Sequence, residues 1–159
     1  MNTAVKVSCE RIEQALGKSP AFRRIDERLF VVKQGSAYVM ITVLPWGEDR
    51  AVVRCAAQLV KGSDVTGELA LALLKMNAML RFGAFGFIPE GKLIVLSHAI
   101  LGGETLDDAE ILATVRDIAL LADEYDDKLV RTHGGARMQD LLEDAAYKRI
   151  LDTMDRGEA

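Results

Sequence analysis

With 159 residues, a formal charge of −4 and 50% hydrophobic residues, the chain can bury roughly 70% of its unfolded surface in a core of its own. It is too acidic for nonspecific nucleic-acid binding, which requires a concentrated basic surface. Cys9 and Cys55 form no CxxC pair and no disulfide framework, a usage that points to a reduced, cytoplasmic setting. The N-terminal MNTAVKVSCERIEQ carries charges throughout and lacks the apolar core of a signal peptide. With no run of about 18 uncharged apolar residues either, a soluble domain without a membrane partner is expected.

Val5, Cys9, Ile12 and Leu16 recur at helical spacing, with Thr3 as a cap and Gly17 followed by Pro20 as a stop, so a first helix is predicted. A polar connector follows. LFVVK (29–33) then reads as a short strand, and Gln34-Gly35-Ser36 as the turn into a second, AYVMITVL (37–44). In that strand Val39, Ile41 and Val43 share one face, and Tyr38, Met40, Thr42 and Leu44 the other. Both sets are apolar enough to face a core, and the pattern leaves the choice between the two registers open. Pro45-Trp46-Gly47-Glu48-Asp49 breaks the run and returns the chain into RAVVRCAAQLV (50–60). Here Val53, Cys55, Ala57 and Leu59 form an inside, and Arg54, Ala56 and Gln58 an outside.

After the loop from Gly62 to Thr66, with Thr66 or Asp64 as cap, comes LALALLKMNAMLRFGAFGF (69–87). Its first half reads as a helix buried on more than one side. Leu69, Leu73, Met76 and Leu80 form one seam, Leu74, Ala70 and Ala78 widen it, and only Glu68, Ala72, Lys75 and Met79 are left for water. Because one sheet face cannot cover so much apolar helix, the rest of the chain is expected to be organised around it, with a second partner covering the surplus. Strands at about 81–88 and 92–100 follow, joined by a Pro89-Glu90-Gly91 turn. Thr105 with Asp108, or Asp107 with Glu110, offers a capping box for a helix with the stripe Ile111, Val115, Ile118, Ala122, Tyr125 and Leu129, ended by His133-Gly134-Gly135. A last amphipathic helix carries Met138, Leu141, Leu142, Ala145, Ile150 and Met154.

The implied order is αβββαββα plus a C-terminal helix. That is an α+β fold with an antiparallel sheet of about five strands packed against helices. The run LLKMNAMLRFGAFGF, the strand KLIVLSHAIL, the helix ending LADEYDDKLVRTHGG, and the earlier GSAYVMITVLPW and AVVRCAAQLVKG resemble the YbjN family and the type III secretion chaperones (CesT-like), over about Leu29 to Gly135. The resemblance implies the same fold for residues 1–135, with 136–159 as a helical extension. It also implies a noncatalytic peptide-binding module, chaperone-like or a regulatory adaptor, and a homodimer of the secretion-chaperone type.

The residues themselves offer little chemistry. His98 and His133 have no HxH or HExxH spacing, so no metal site is expected. Cys9 lies on an apolar helical stripe and Cys55 alternates with Val53 and Ala57, which makes both small core residues rather than activated nucleophiles. The acidic run Asp123-Glu124-Tyr125-Asp126-Asp127 reads as a solvated helical face with Lys128 and Arg131 as i,i+4 partners of Glu124 and Asp127. The glycines of GAFG and Gly102-Gly103 do not lead a strand into a helix with Lys and Ser or Thr, so no phosphate loop is present. No enzyme activity and no cofactor are expected.

Binding residues are the better candidates. Tyr38, Met40 and Leu44, with Trp46 and Arg54 nearby, would hold a client segment if their face is exposed. The structural alternative for Trp46 and Arg54 is a core cap and a solvated cation. Ala72, Lys75, Met76 and Met79 are the expected dimer interface. The competing function is a small-molecule-binding sensory domain or a weakly catalytic pocket using His98 or the carboxylates.

Overall fold

A computed structural model describes residues 1–156. The elements are α1 (Thr3–Leu16), β1 (Phe22–Asp26), β2 (Leu29–Gln34), β3 (Ala37–Trp46), β4 (Arg50–Lys61), α2 (Gly67–Asn77), β5 (Ala84–Ile88), β6 (Leu93–Leu101), α3 (Asp108–His133) and α4 (Met138–Asp155). The fold is α+β, as expected, but its antiparallel sheet has six strands, ordered β1-β2-β3-β4-β6-β5. The additional strand is β1, within the stretch expected to be a connector. Only Phe22 of FRRID is buried, so an edge strand with one core residue reads as polar.

Alternation along the strands sets the core. Val39, Ile41 and Val43 of β3 are fully buried, as are Val53, Cys55 and Ala57 of β4 and Ile94 and Leu96 of β6. α1 and α3 pack on this face, contributing Val5, Ile12, Ile111 and Ile118. α1 is capped by Asn2, whose side chain accepts from the Val5 amide at 2.8 Å, rather than by Thr3. Thr66 caps α2 and Asp107 caps α3. The expected break at Pro45 does not occur. β3 runs on through Trp46 because β2 pairs with it only as far as Thr42, and a proline there leaves no ladder bond unmade.

α2 departs most from expectation. It ends at Asn77 and packs against β5 at the rim of the sheet. Leu69 and Leu73 are buried, with Met76 and Leu80 packed beside them, while Leu71 is 54% and Leu74 64% exposed. The helix is therefore buried on one side only. The rest of the chain is organised around α3, which touches β2, β3, β4, β6 and α1.

The acidic run is a solvated face only in part: Glu124 and Asp127 are exposed, but Asp123 and Asp126 turn inward. Asp126 is buried, and the Ser36 hydroxyl donates to its Oδ2 at 2.7 Å, while Asp123 Oδ1 accepts from the Ser36 amide at 2.9 Å. The pair clamps the β2–β3 turn onto α3. Gly35 sits there at φ 54°, with no room for a side chain against the Asp123 carboxylate. Of the expected helical ion pairs, Lys128 meets Glu124 at 2.8 Å. Asp127 meets Arg137 instead of Arg131.

Both sheet edges have a phenylalanine whose peptide groups are already engaged. On β5, the Phe85 amide donates to Asn77 Oδ1 at 2.7 Å and its carbonyl accepts from Asn77 Nδ2 at 3.1 Å. On β1, the Phe22 amide donates to the Ser19 carbonyl at 3.2 Å and its carbonyl accepts from Arg23 Nη1 at 2.7 Å.

Candidate functional site

Among the described residues, the face of the sheet opposite α1 and α3 is covered only by the start of α4. Because Val39, Ile41 and Val43 face the core, the period of two puts Tyr38, Met40, Thr42, Leu44 and Trp46 on this open face. Arg54 joins them opposite Thr42. The register left open by the sequence is thereby settled, and the five candidate binding residues come together on one surface.

Two apolar regions flank a polar waist. The first is a groove of about 580 Å³ lined by Leu29, Val31, Tyr38 and Met40 of the sheet and by Met138 and Leu142 of α4, with Arg23 and Lys33 beside them. The second joins Leu44, 40% exposed, Trp46 and Leu101, with Val52 between Leu44 and Leu101 in the pairing register. Arg50 from the next strand stacks over the Trp46 ring at 4.7 Å from its centroid. Between them stand Thr42 and Arg54. Trp46 ends β3 rather than sitting in a turn, and it is 49% exposed. From Tyr38 to Trp46 the face extends roughly 26 Å at the usual rise per strand residue.

Sequence reasoning missed Val31, Leu29 and Met138 as lining residues. Val31 carried a usable signal, because it pairs directly with Met40. Met138 did not, since its position depends on how α4 is anchored. Lys61 and Ala136 exchange backbone hydrogen bonds of 2.9 Å, and Arg137 bonds both Asp127 and Asp140. The Arg137 guanidinium, with its hydrogen bonds, holds the Asp140 carboxyl below its ordinary range. Beyond Leu142 the described residues of α4 are all exposed.

The remaining candidates lie elsewhere. His98 is half-buried on the helix-covered side, accepting from the Gly83 amide at 3.1 Å and edge-on to Phe82, which gives it a structural role. His133 contacts Thr132 at the end of α3, so the two histidines are not brought together. Among the described residues no group of His, Cys, Asp or Glu is arranged to hold a metal. Cys9 and Cys55 are buried free thiols, and burial pushes Cys55 up to about 12. Ala72, Lys75 and Met79 are exposed and Met76 is half-buried, on the same segment as the exposed Leu71 and Leu74, the latter lining a groove with Phe87 of edge strand β5.

Residues 5–141 match the family model described as T3SS (YopN, CesT) and YbjN peptide-binding chaperone 1. The chain belongs to this family. The match takes in the whole sheet, nearly all of α1, α2, α3 and the first turn of α4, which includes every sheet residue of the open face named above and stops just short of Leu142. It establishes a chaperone-like, protein-binding role and bears out the resemblance seen in the sequence. A chain in the crystal structure of the ExsC–ExsE complex has the same fold at 19% identity with a TM-score of 0.58, covering 81% of this chain and 97% of that one. No curated protein matches the chain in sequence. No described helix is long and apolar enough to cross a membrane.

Proposed function

We propose that the protein is a noncatalytic cytoplasmic chaperone or regulatory adaptor that holds a client segment across the open face of its sheet. Tyr38, Met40, Leu44 and Trp46 supply the apolar contacts and Arg54 a polar one. The observation that carries this reading is the exposure of an apolar sheet face, from the Tyr38 groove to Trp46, in a chain whose family is described as peptide-binding. Exposed apolar surface of this extent marks an interaction site, and large side chains at the centre of such a surface carry most of the binding free energy.

The test is a photo-crosslinking amino acid placed at Met40 and, as a control, at the exposed Leu112 of α3. In the native host the Met40 probe is expected to trap a polypeptide that the Leu112 probe does not. Equal labelling at both sites, or a small molecule retained stoichiometrically in native mass spectrometry, would overturn the reading.

The protein is further proposed to act as a homodimer through Ala72, Lys75, Met76 and Met79. Met79 is 84% exposed, and Leu71 and Leu74 of the same segment are 54% and 64% exposed among the described residues. Residues 1–135 would then form the dimerising domain, with 136–159 as its helical extension. Light scattering is expected to show a dimer, converted to a folded monomer by Ala72→Glu or Met79→Glu. A wild-type monomer at high concentration would refute it.

A further inference from the structure

We propose that the open face selects client segments whose apolar anchors are flanked by carboxylates. This rests on the reading of that face as the client surface and adds the chemistry of the client. The whole chain has 20 Lys and Arg against 24 Asp and Glu, yet its charges are segregated. The six strands carry Arg23, Arg24, Lys33, Arg50, Arg54 and Lys61 against a single carboxylate, Asp26. Arg24 turns to the helix side, where it pairs with Glu13.

Four of the others stand on the open face by register. Arg23 lies opposite Val31, Lys33 opposite Tyr38, Arg54 opposite Thr42 and Arg50 opposite Trp46. All four are exposed. Among the described residues Arg23, Lys33 and Arg54 have no carboxylate within ion-pair distance, and Arg50 has only its neighbour Asp49 at 3.8 Å. No carboxylate lines the groove.

A cationic surface inside an acidic protein discriminates. The net charge repels acidic chains generally, while the local potential attracts one that lies along the strands. The apolar regions at either end supply affinity, and the cations decide which apolar segment is accepted. A nucleic acid would also seek the cations. Single strands, however, bind by stacking successive bases on closely spaced aromatics, and here Tyr38 and Trp46 stand at opposite ends of β3 with no other aromatic between them.

The experiment uses the full chain and three synthetic peptides that share one spacing of Leu, Ile and Phe anchors and differ only in flanking residues: Asp and Glu, Asn and Gln, or Lys. Fluorescence anisotropy at low salt should show the acidic peptide binding roughly tenfold more tightly than the neutral one, as a few exposed ion pairs allow, and the Lys peptide more weakly than both. That preference should collapse at about 0.5 M salt, where screening reaches a few ångströms, and invert in a Lys33→Glu/Arg54→Glu variant. Equal binding of acidic and neutral peptides, abolished for both by Met40→Asp, would overturn the charge selection while leaving the client face standing. Binding of none of the three would overturn both. Displacement of the acidic peptide by an oligothymidylate at equal concentration would replace the peptide reading with a nucleic-acid one. The salt titration on the wild-type chain decides the matter even if a variant fails to fold.

Discussion

The two faces of β3 differ by one residue of register and by everything else. Val39, Ile41 and Val43 are fully buried beneath α1 and α3. Tyr38, Met40, Leu44 and Trp46, interleaved with them, meet solvent or a shallow groove. By composition the two sets are nearly interchangeable, so hydrophobicity alone does not decide which is core. The decision comes from what is attached to each side. Two helices cover one face, while the other receives a single turn of α4 and keeps its cations. Apolar side chains thus hold the fold together on one side and stay partly exposed on the other.

The comparison is broken most sharply by truncating matched residues. Ile41→Ala removes fully buried atoms and is expected to lower unfolding free energy by about 2–5 kcal/mol in urea titrations. Met40→Ala, its neighbour on the open face, is expected to change stability by less than about 1 kcal/mol. For the acidic peptide described above, Trp46→Ala or Tyr38→Ala should weaken binding by about 2 kcal/mol if these are the anchors, with the melting temperature nearly unchanged. A stability loss at Met40 rivalling that at Ile41 would show that the open face is structural.

A smaller effect concerns the clamp on the helix-covered side. Burial raises the Asp126 pKa above 3.8, against the lowering effect of the Ser36 hydrogen bond. The native state therefore holds this proton more tightly than the unfolded chain. This contribution favours folding increasingly as pH falls through the raised value, and opposes it at neutral pH. Asp126→Asn should compare best with wild type near pH 7 and lose ground as the pH falls to about 4, in denaturation curves measured side by side. A difference independent of pH would contradict the burial of the charged form. Weaker still, Arg137→Ala removes two partly exposed ion pairs and is expected to cost about 1 kcal/mol or less globally. Hydrogen exchange should show faster opening at Met138–Leu142 alone. Chelator plus reductant should leave the melting temperature unchanged, because both cysteines are free and buried.

The parts of the fold legible in the sequence are those where one side of an element carries charge. β4 reads correctly because Arg54 and Gln58 mark its outside. β3 has no charged residue, and its register becomes readable only once α1 and α3 are in place. β1 was hidden by the opposite problem, an edge strand with Phe22 as its one buried residue. α2 is misleading because apolar composition does not guarantee burial: Leu71 and Leu74 stay exposed at the rim of the sheet. The acidic run carried a missed signal. Asp123 and Asp126 are three residues apart, hence on one helix side, and together they supply acceptors that the Ser36 amide and hydroxyl require.

The engaged phenylalanines at the two edges have a consequence for life in a crowded cell. A protein that displays apolar strands invites other chains, its own copies included, to extend its sheet hydrogen bond by hydrogen bond, which is how ordered aggregates begin. Asn77 imitates a neighbouring peptide group at Phe85, and Ser19 and Arg23 do the same at Phe22. At those positions a newcomer finds donors and acceptors already taken. The broad side of the sheet, by contrast, offers a newcomer side chains instead of unpaired peptide groups.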